Sequence, residues 1–184
     1  MDIKLIILIV ILLILILYFI LTNNKLIKLN NQMKEAFSTM DVYLKKRWDL
    51  IPNIVEVVKG YVKHEEKTLT EVTEIRKSNY SKMSVDEKLN TNEELSNRIN
   101  KIMALIESYP DLKANENFKD LNKQLMKVED EIAHSRKYYN ATVRDFNNKV
   151  EMFPSNIVAK IFGYKKAKMF EIDATERENV KVEL

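Results

Sequence analysis

At 184 residues and a net charge of +3, the chain has room for one domain and an appendage, and its charges are too balanced to select nucleic acid. It has no cysteine, which excludes disulfides, thiolate metal sites, a thiol nucleophile and a cysteine-linked lipid. Two glycines and three prolines leave little turn chemistry, so the composition calls for long helices with few connections.

The first element is Leu5 to Leu21, LIILIVILLILILYFIL, about 17 apolar residues without a charge. With Ile3 and a snorkelling Lys4 it reaches about 28 Å as a helix, close to the hydrocarbon thickness of a bilayer. A helix satisfies its own backbone groups in lipid. Tyr18 and Phe19 fall where an interfacial aromatic belt would sit. A membrane anchor is therefore expected over residues 5–22, carrying Leu5, Ile9, Leu13, Leu17 and Leu21, behind a short tail of residues 1–4. Thr22-Asn23-Asn24-Lys25 offers no small-residue cleavage pattern, so an uncleaved anchor is expected rather than a signal peptide. Lys25, Lys28 and Lys34 come after the run, against Lys4 and Asp2 before it. That bias puts the remainder on the cytoplasmic side of the cell membrane.

The remainder, residues 23–153, reads as helices. Leu26, Leu29, Met33, Ala36, Met40 and Leu44 recur at spacings of three and four, and the stripe continues through Trp48, Ile51, Val55, Val58 and Val62 to Leu69 and Val72. Pro52 interrupts it without shifting its phase. A proline inside a helix costs about 3 kcal/mol, so a break at Trp48–Pro52 is expected, with Asp49 as cap of a new helix; a kinked single helix is the alternative. The second helix should run to about Tyr80. Ser84 and Glu87 have the form of a capping box, and Thr91 and Glu94 offer another. Leu95, Ile99, Ile102 and Ile106 mark the third helix. Residues 109–117 read as a turn region. The last helix carries a heptad seam: Phe118, Leu121, Leu125, Val128, Ile132, Ser135, Tyr139, Thr142 and Phe146, ending near Pro154. The expected fold is all-α: a transmembrane helix followed by an antiparallel four-helix bundle with coiled-coil-like packing.

Residues 154–184 form a tail. Ile157, Val158, Ile161 and Phe162 make a short amphipathic helix, and Tyr164, Lys165 and Lys166 come after it, a mixture suited to a membrane surface. Ile157, Ile161, Phe162, Lys165 and Lys166 are its candidate contacts; capping of the bundle end is the competing reading. With a break at Pro52, three antiparallel returns would bring this tail back to the membrane. With a kink, it would point away.

Several stretches resemble the LemA family. Asp41-Val-Tyr-Leu-Lys-Lys-Arg-Trp-Asp-Leu-Ile-Pro-Asn-Ile-Val-Glu-Val-Val-Lys-Gly-Tyr-Val-Lys-His64-Glu65 looks like its signature stretch, and Tyr109-Pro-Asp-Leu-Lys-Ala-Asn-Glu-Asn-Phe118 like its second block. Arg136-Lys-Tyr-Tyr-Asn140 with Asp145-Phe-Asn147, then Phe153-Pro-Ser-Asn156 and Phe162-Gly163, look like the third and fourth. Phe37, Trp48 and Phe146 depart from the usual pattern, and Trp48 puts local polar contacts near Pro52 in question. The resemblance implies a bacterial membrane protein with one N-terminal span and an up-and-down helical bundle. It carries over no catalytic residue, because the family has no established enzymatic activity.

The candidate sites are few. His64-Glu65-Glu66 lacks the second histidine of H-E-x-x-H, since Thr68 stands there, and no metal is expected. No glycine-rich phosphate loop exists, so neither a nucleotide nor another cofactor is expected. Asp49, Asn53 and Glu56 share one helix face, and Arg136, Asn140 and Asn147 another. They suit either a binding groove or a polar network that fixes helix register. The expected function is a membrane-anchored, non-enzymatic interaction or scaffold module in the cell envelope, with membrane lipid and a protein partner or a second copy as partners. The alternative is a lipid-binding or membrane-shaping module acting through self-association and the tail. A subunit of a membrane protease or signalling system ranks third.

Overall fold

The computed structural model describes residues 2–62, 66–75 and 78–170. Its elements in chain order are α1 (Ile3–Lys59), α2 (Glu66–Ile75), a 3₁₀ turn (Tyr80–Lys82), α3 (Val85–Ile106), α4 (Pro110–Ala114), α5 (Glu116–Glu151) and α6 (Ser155–Ile161). No strand occurs among the described residues. The chain divides into two compact units: residues 1–38 with 137–169, and residues 39–136 with Phe170. Helices α1 and α5 contribute to both.

The expected break at Pro52 does not occur. Helix α1 runs through Pro52 without interruption, and Asp49 is an interior residue rather than a cap. Burial explains this. Trp48, Ile51, Ile54, Val55 and Val58 are all buried on one face that spans the proline. Each such side chain contributes about 1.5–3 kcal/mol, which outweighs the roughly 3 kcal/mol that an interior proline costs. Helix α2 also stops at Ile75, short of the expected Tyr80, which lies in the 3₁₀ turn. Of the two capping boxes, Ser84 and Glu87 form the real one: the Ser84 hydroxyl accepts from the Glu87 amide and the Glu87 carboxylate accepts from the Ser84 amide. The Ser84 amide, then the Ser84 hydroxyl, both donating to the Glu87 carboxylate, hold that carboxyl below its usual range. Thr91 and Glu94 sit inside α3. Part of the 109–117 turn region is α4, with Leu112 fully buried.

In the second unit, cross-helix contacts set the directions. Asp41 meets Lys88 and Arg47 meets Asn92 and Ser96, so α1 and α3 run the same way. Arg47 also meets Glu129, and Tyr61 meets Asn115, so α5 runs opposite to α1. Between them α2 carries the chain back from Val62 to Tyr80, which bonds Asp41, and Glu71 on α2 pairs with Arg98 on α3.

The first unit contains the apolar run. From Leu5 to Leu17 every apolar side chain is 43–63% exposed, on all sides of α1. The helix is long and apolar enough to cross a membrane. Just beyond the run, Leu26 and Leu29 form a cluster with Phe146, Val158 and Ala159, and Tyr18, Phe19, Met33, Val150, Tyr164 and Ala167 pack against it. So α6 lies beside the end of the apolar run although Pro52 breaks nothing. The expectation that an unbroken α1 would send the tail away is overturned, because α2 supplies the missing return within the second unit and α5 returns alongside α1 in the first.

Candidate functional site

The polar centre of the second unit is Arg47. It lies three residues after Leu44 and four before Ile51, both buried, so helical spacing puts it in the middle of the apolar face of α1. It is 1% exposed. Its guanidinium donates to Ser96 Oγ at 2.8 Å, to both Glu129 carboxylate oxygens at 3.0 Å, and to the carbonyl and side-chain oxygens of Asn92 at 2.8 and 3.0 Å. One donor, Nε, is buried without a partner. Asn92 is itself fully buried and donates to the Lys88 carbonyl. This cluster ties α1, α3 and α5 together, and its fixed geometry sets their register.

A second polar cluster lies one to two turns earlier on α1. The Tyr80 hydroxyl donates to Asp41 at 2.7 Å, and Lys88 donates to the other Asp41 oxygen at 2.6 Å. The Tyr80 ring packs at 5.2 Å against Trp48, tilted by 48°, and lies 4.8 Å below the Lys88 ammonium. Burial, then the Asp41 hydrogen bond, pushes the Tyr80 hydroxyl far above the ordinary tyrosine range, so it stays a donor. The departure at Trp48 thus fills an apolar contact with Tyr80.

The predicted polar faces occupy separate places. Asp49, Asn53 and Glu56 lie on α1 away from the buried stripe, and Asp49 accepts from Lys45 one turn earlier at 2.6 Å. Asp49 and Asn53 line an open hollow of about 580 Å³ with Tyr43 and Lys46 and, from α5, Gln124, Lys127 and Glu131. Glu56 lines two smaller hollows of about 380 Å³ each. Arg136 lines a different hollow of about 440 Å³ between α3 and α5, where its guanidinium sits 5.6 Å from the Phe170 ring. Arg47, Ser96, Asn100, Asn122 and Glu129 also line that hollow. Asn140 and Asn147 belong to the first unit. Asn147 is buried and grips the tail backbone, accepting from the Ala167 amide at 2.9 Å and donating to the Ala167 carbonyl at 3.0 Å. Tyr139 adds a bond to the Lys168 carbonyl at 2.9 Å.

Arg47 and Asn92 are not legible as buried residues in the sequence, because a charged or amide side chain is ordinarily assigned to solvent. Their spacing within the apolar stripes was the available signal. His64 and Glu65 lie outside the described residues. Among the described residues no three His, Cys, Asp or Glu side chains are grouped to hold a metal ion.

In the tail, Val158 and Ala159 are buried, while Ile157, Ile161, Phe162, Lys165 and Lys166 are exposed. Lys166 pairs with Glu151 at 2.8 Å.

A family model described as the LemA family matches residues 36–184. Protein LemA of Metamycoplasma hominis is 30% identical over 161 residues, which cover 85% of this chain and 72% of that protein. Magnetosome protein MamQ 2 of Paramagnetospirillum magneticum is 33% identical over 75 residues, 41% of this chain and 28% of that protein. MamQ of Magnetospirillum gryphiswaldense is 30% identical over 74 residues, 40% of this chain and 27% of that protein. The shared stretch is thus less than a third of either MamQ protein. With the family model spanning most of the sequence and a relative aligned over most of its length, this chain belongs to the LemA family.

Proposed function

We propose that this chain is a membrane-anchored, non-enzymatic interaction module of the cell envelope. The observation that carries the reading is α1 itself. Its first third is an apolar rod exposed on every side, and its second half is the buried spine of a folded unit. Such a helix loses apolar surface to water only if lipid covers the rod. Tyr18 and Phe19 would lie at one interface, and Lys25, Lys28 and Lys34 favour the cytoplasmic side for the folded remainder of the chain. In this reading the four helical segments of the second unit form an antiparallel bundle, and its two hollows, with the α4 turn, are the surfaces offered to a protein partner. The MamQ proteins carry magnetosome in their names, but the shared stretch is too short to bring that role here.

The test is photo-crosslinking in cells from Asn53 in one hollow, Asn122 in the other and Lys113 on α4. The reading expects a defined protein partner joined from these positions and not from exposed control sites such as Arg144. Crosslinks to copies of this chain alone would replace it with self-association.

A further inference from the structure

The exposed side of the tail is more apolar than a solvated surface needs. Met152 and Phe153 are 63% and 78% exposed, Ile157 48%, Ile161 63% and Phe162 53%. Ile157 and Ile161 are four residues apart and share a face of α6, opposite the buried Val158 and Ala159. Five large apolar side chains exposed within eleven residues suit a contact surface. Its position says what covers it. Val158 and Ala159 belong to the cluster built on Leu26 and Leu29, against which Tyr18 and Phe19 pack. Tyr18 and Phe19 are in the last turn of the apolar run, and Leu26 stands about 8 Å along the helix beyond Leu21. A headgroup layer is about 5–8 Å thick on each side of the hydrocarbon, so with the run spanning the bilayer α6 would lie beside the outer part of that layer. Charge agrees. Between Met152 and Phe170 stand lysines at 160, 165, 166 and 168, and no acidic residue.

We propose that α6 and its flanking turns are a second membrane contact. Phe153, Ile157, Ile161 and Phe162 enter the boundary between acyl chains and headgroups of the leaflet the anchor emerges from. Lys160 and Lys165 meet anionic headgroups there. The inference rests on the anchored reading above. A short helix with one apolar side and basic flanks binds such a surface weakly alone, but the anchor already holds it there at high local concentration.

The absence of native cysteine gives a clean test with the full chain. Three single-cysteine variants, Leu13→Cys, Ile161→Cys and Lys101→Cys, are labelled with an environment-sensitive fluorophore. Each is reconstituted into vesicles of phosphatidylcholine and phosphatidylglycerol at about three to one, without nitroxide lipids or with nitroxides placed either at the bilayer centre, to reach Leu13→Cys, or near the headgroup boundary, to reach Ile161→Cys. The expected result is blue-shifted, quenched emission at Leu13→Cys and Ile161→Cys, and neither effect at Lys101→Cys. Replacing phosphatidylglycerol by phosphatidylcholine should reduce quenching at Ile161→Cys alone. Quenching at Leu13→Cys without any at Ile161→Cys overturns the inference and leaves the anchor standing. No quenching at Leu13→Cys removes the anchor and the inference together. Shielding of Ile161→Cys that appears only at high protein-to-lipid ratio, without lipid quenching, means a second copy covers the face, and the inference fails. Quenching that ignores the headgroup charge removes the role given to the lysines.

Discussion

Arg47 is the residue on which the second unit turns. A buried guanidinium is stabilised only by partners that match its donors, and here Ser96, Asn92 and Glu129 supply them from two other helices. Removing it would take the Arg47 donor from the Asn92 side-chain oxygen, while the Asn92 carbonyl keeps the Ser96 hydroxyl, and would open a cavity. Arg47→Ala should therefore cost about 3 kcal/mol, and Arg47→Met, which keeps most of the volume, distinctly less. Glu129 is 38% exposed at its side chain and can turn to water, so Glu129→Gln should cost the least of the three. Urea denaturation of the three variants orders them. Tyr80 gives a pH dependence. Its hydroxyl is held protonated in the folded state, while the unfolded chain ionises near the ordinary value of about 10. The stability this contributes is intact below about pH 10 and lost as pH rises beyond it. Tyr80→Phe should lower stability by about 1 kcal/mol at neutral pH through the lost bond to Asp41, and should flatten the alkaline fall relative to the parent chain. Equal slopes for the two proteins above about pH 10 would refute it.

At the scale of the element, Pro52 is the informative case. Local propensity argues for a helix end there, and the apolar stripe argues for continuity; packing decided in favour of the stripe. An interior proline has no amide to donate and its ring crowds the preceding turn, so Pro52→Ala should stabilise the protein by about 1–2 kcal/mol, with part of the gain offset by a more flexible unfolded chain. A lowered melting temperature would mean that the proline serves the native geometry in a way the helix alone does not explain. Helix α5 shows how far periodicity carries. Phe118, Leu125, Ile132, Ser135, Tyr139 and Phe146 are buried as the heptad seam implies, whereas the buried neighbour of Tyr139 is Val143 rather than the half-buried Thr142. The register is regained at Phe146, so the difference is local: positions three and four residues on from Tyr139 both lie near the buried face of a 3.6-residue helix, and the apolar Val143 takes the inside position. Residue type puts Asn147 on a polar face, and only the folded tail reveals that it clamps Ala167.

For the molecule as a whole, the apolar rod decides where the protein resides. Placing charges at its middle, as in Ile9→Arg with Leu13→Arg, should cost about 3 kcal/mol per residue in lipid and move the chain from the carbonate-resistant pellet to the soluble fraction. Retention of the double variant in the pellet would show that some other part of the chain holds it there.

The sequence by itself determined the membrane-length apolar run, the all-helical class, the core stripes and the family. These depend on composition and on periods of three to four residues, which act locally and need no knowledge of neighbours. The tertiary structure alone decided three things. It kept α1 unbroken through Pro52, it put Arg47 and Asn92 inside, and it laid α6 beside the end of the apolar run. Each is an outcome of one helix packing on another, where burial of many side chains outweighs a local preference of a few kcal/mol. No single segment of the chain contains that balance.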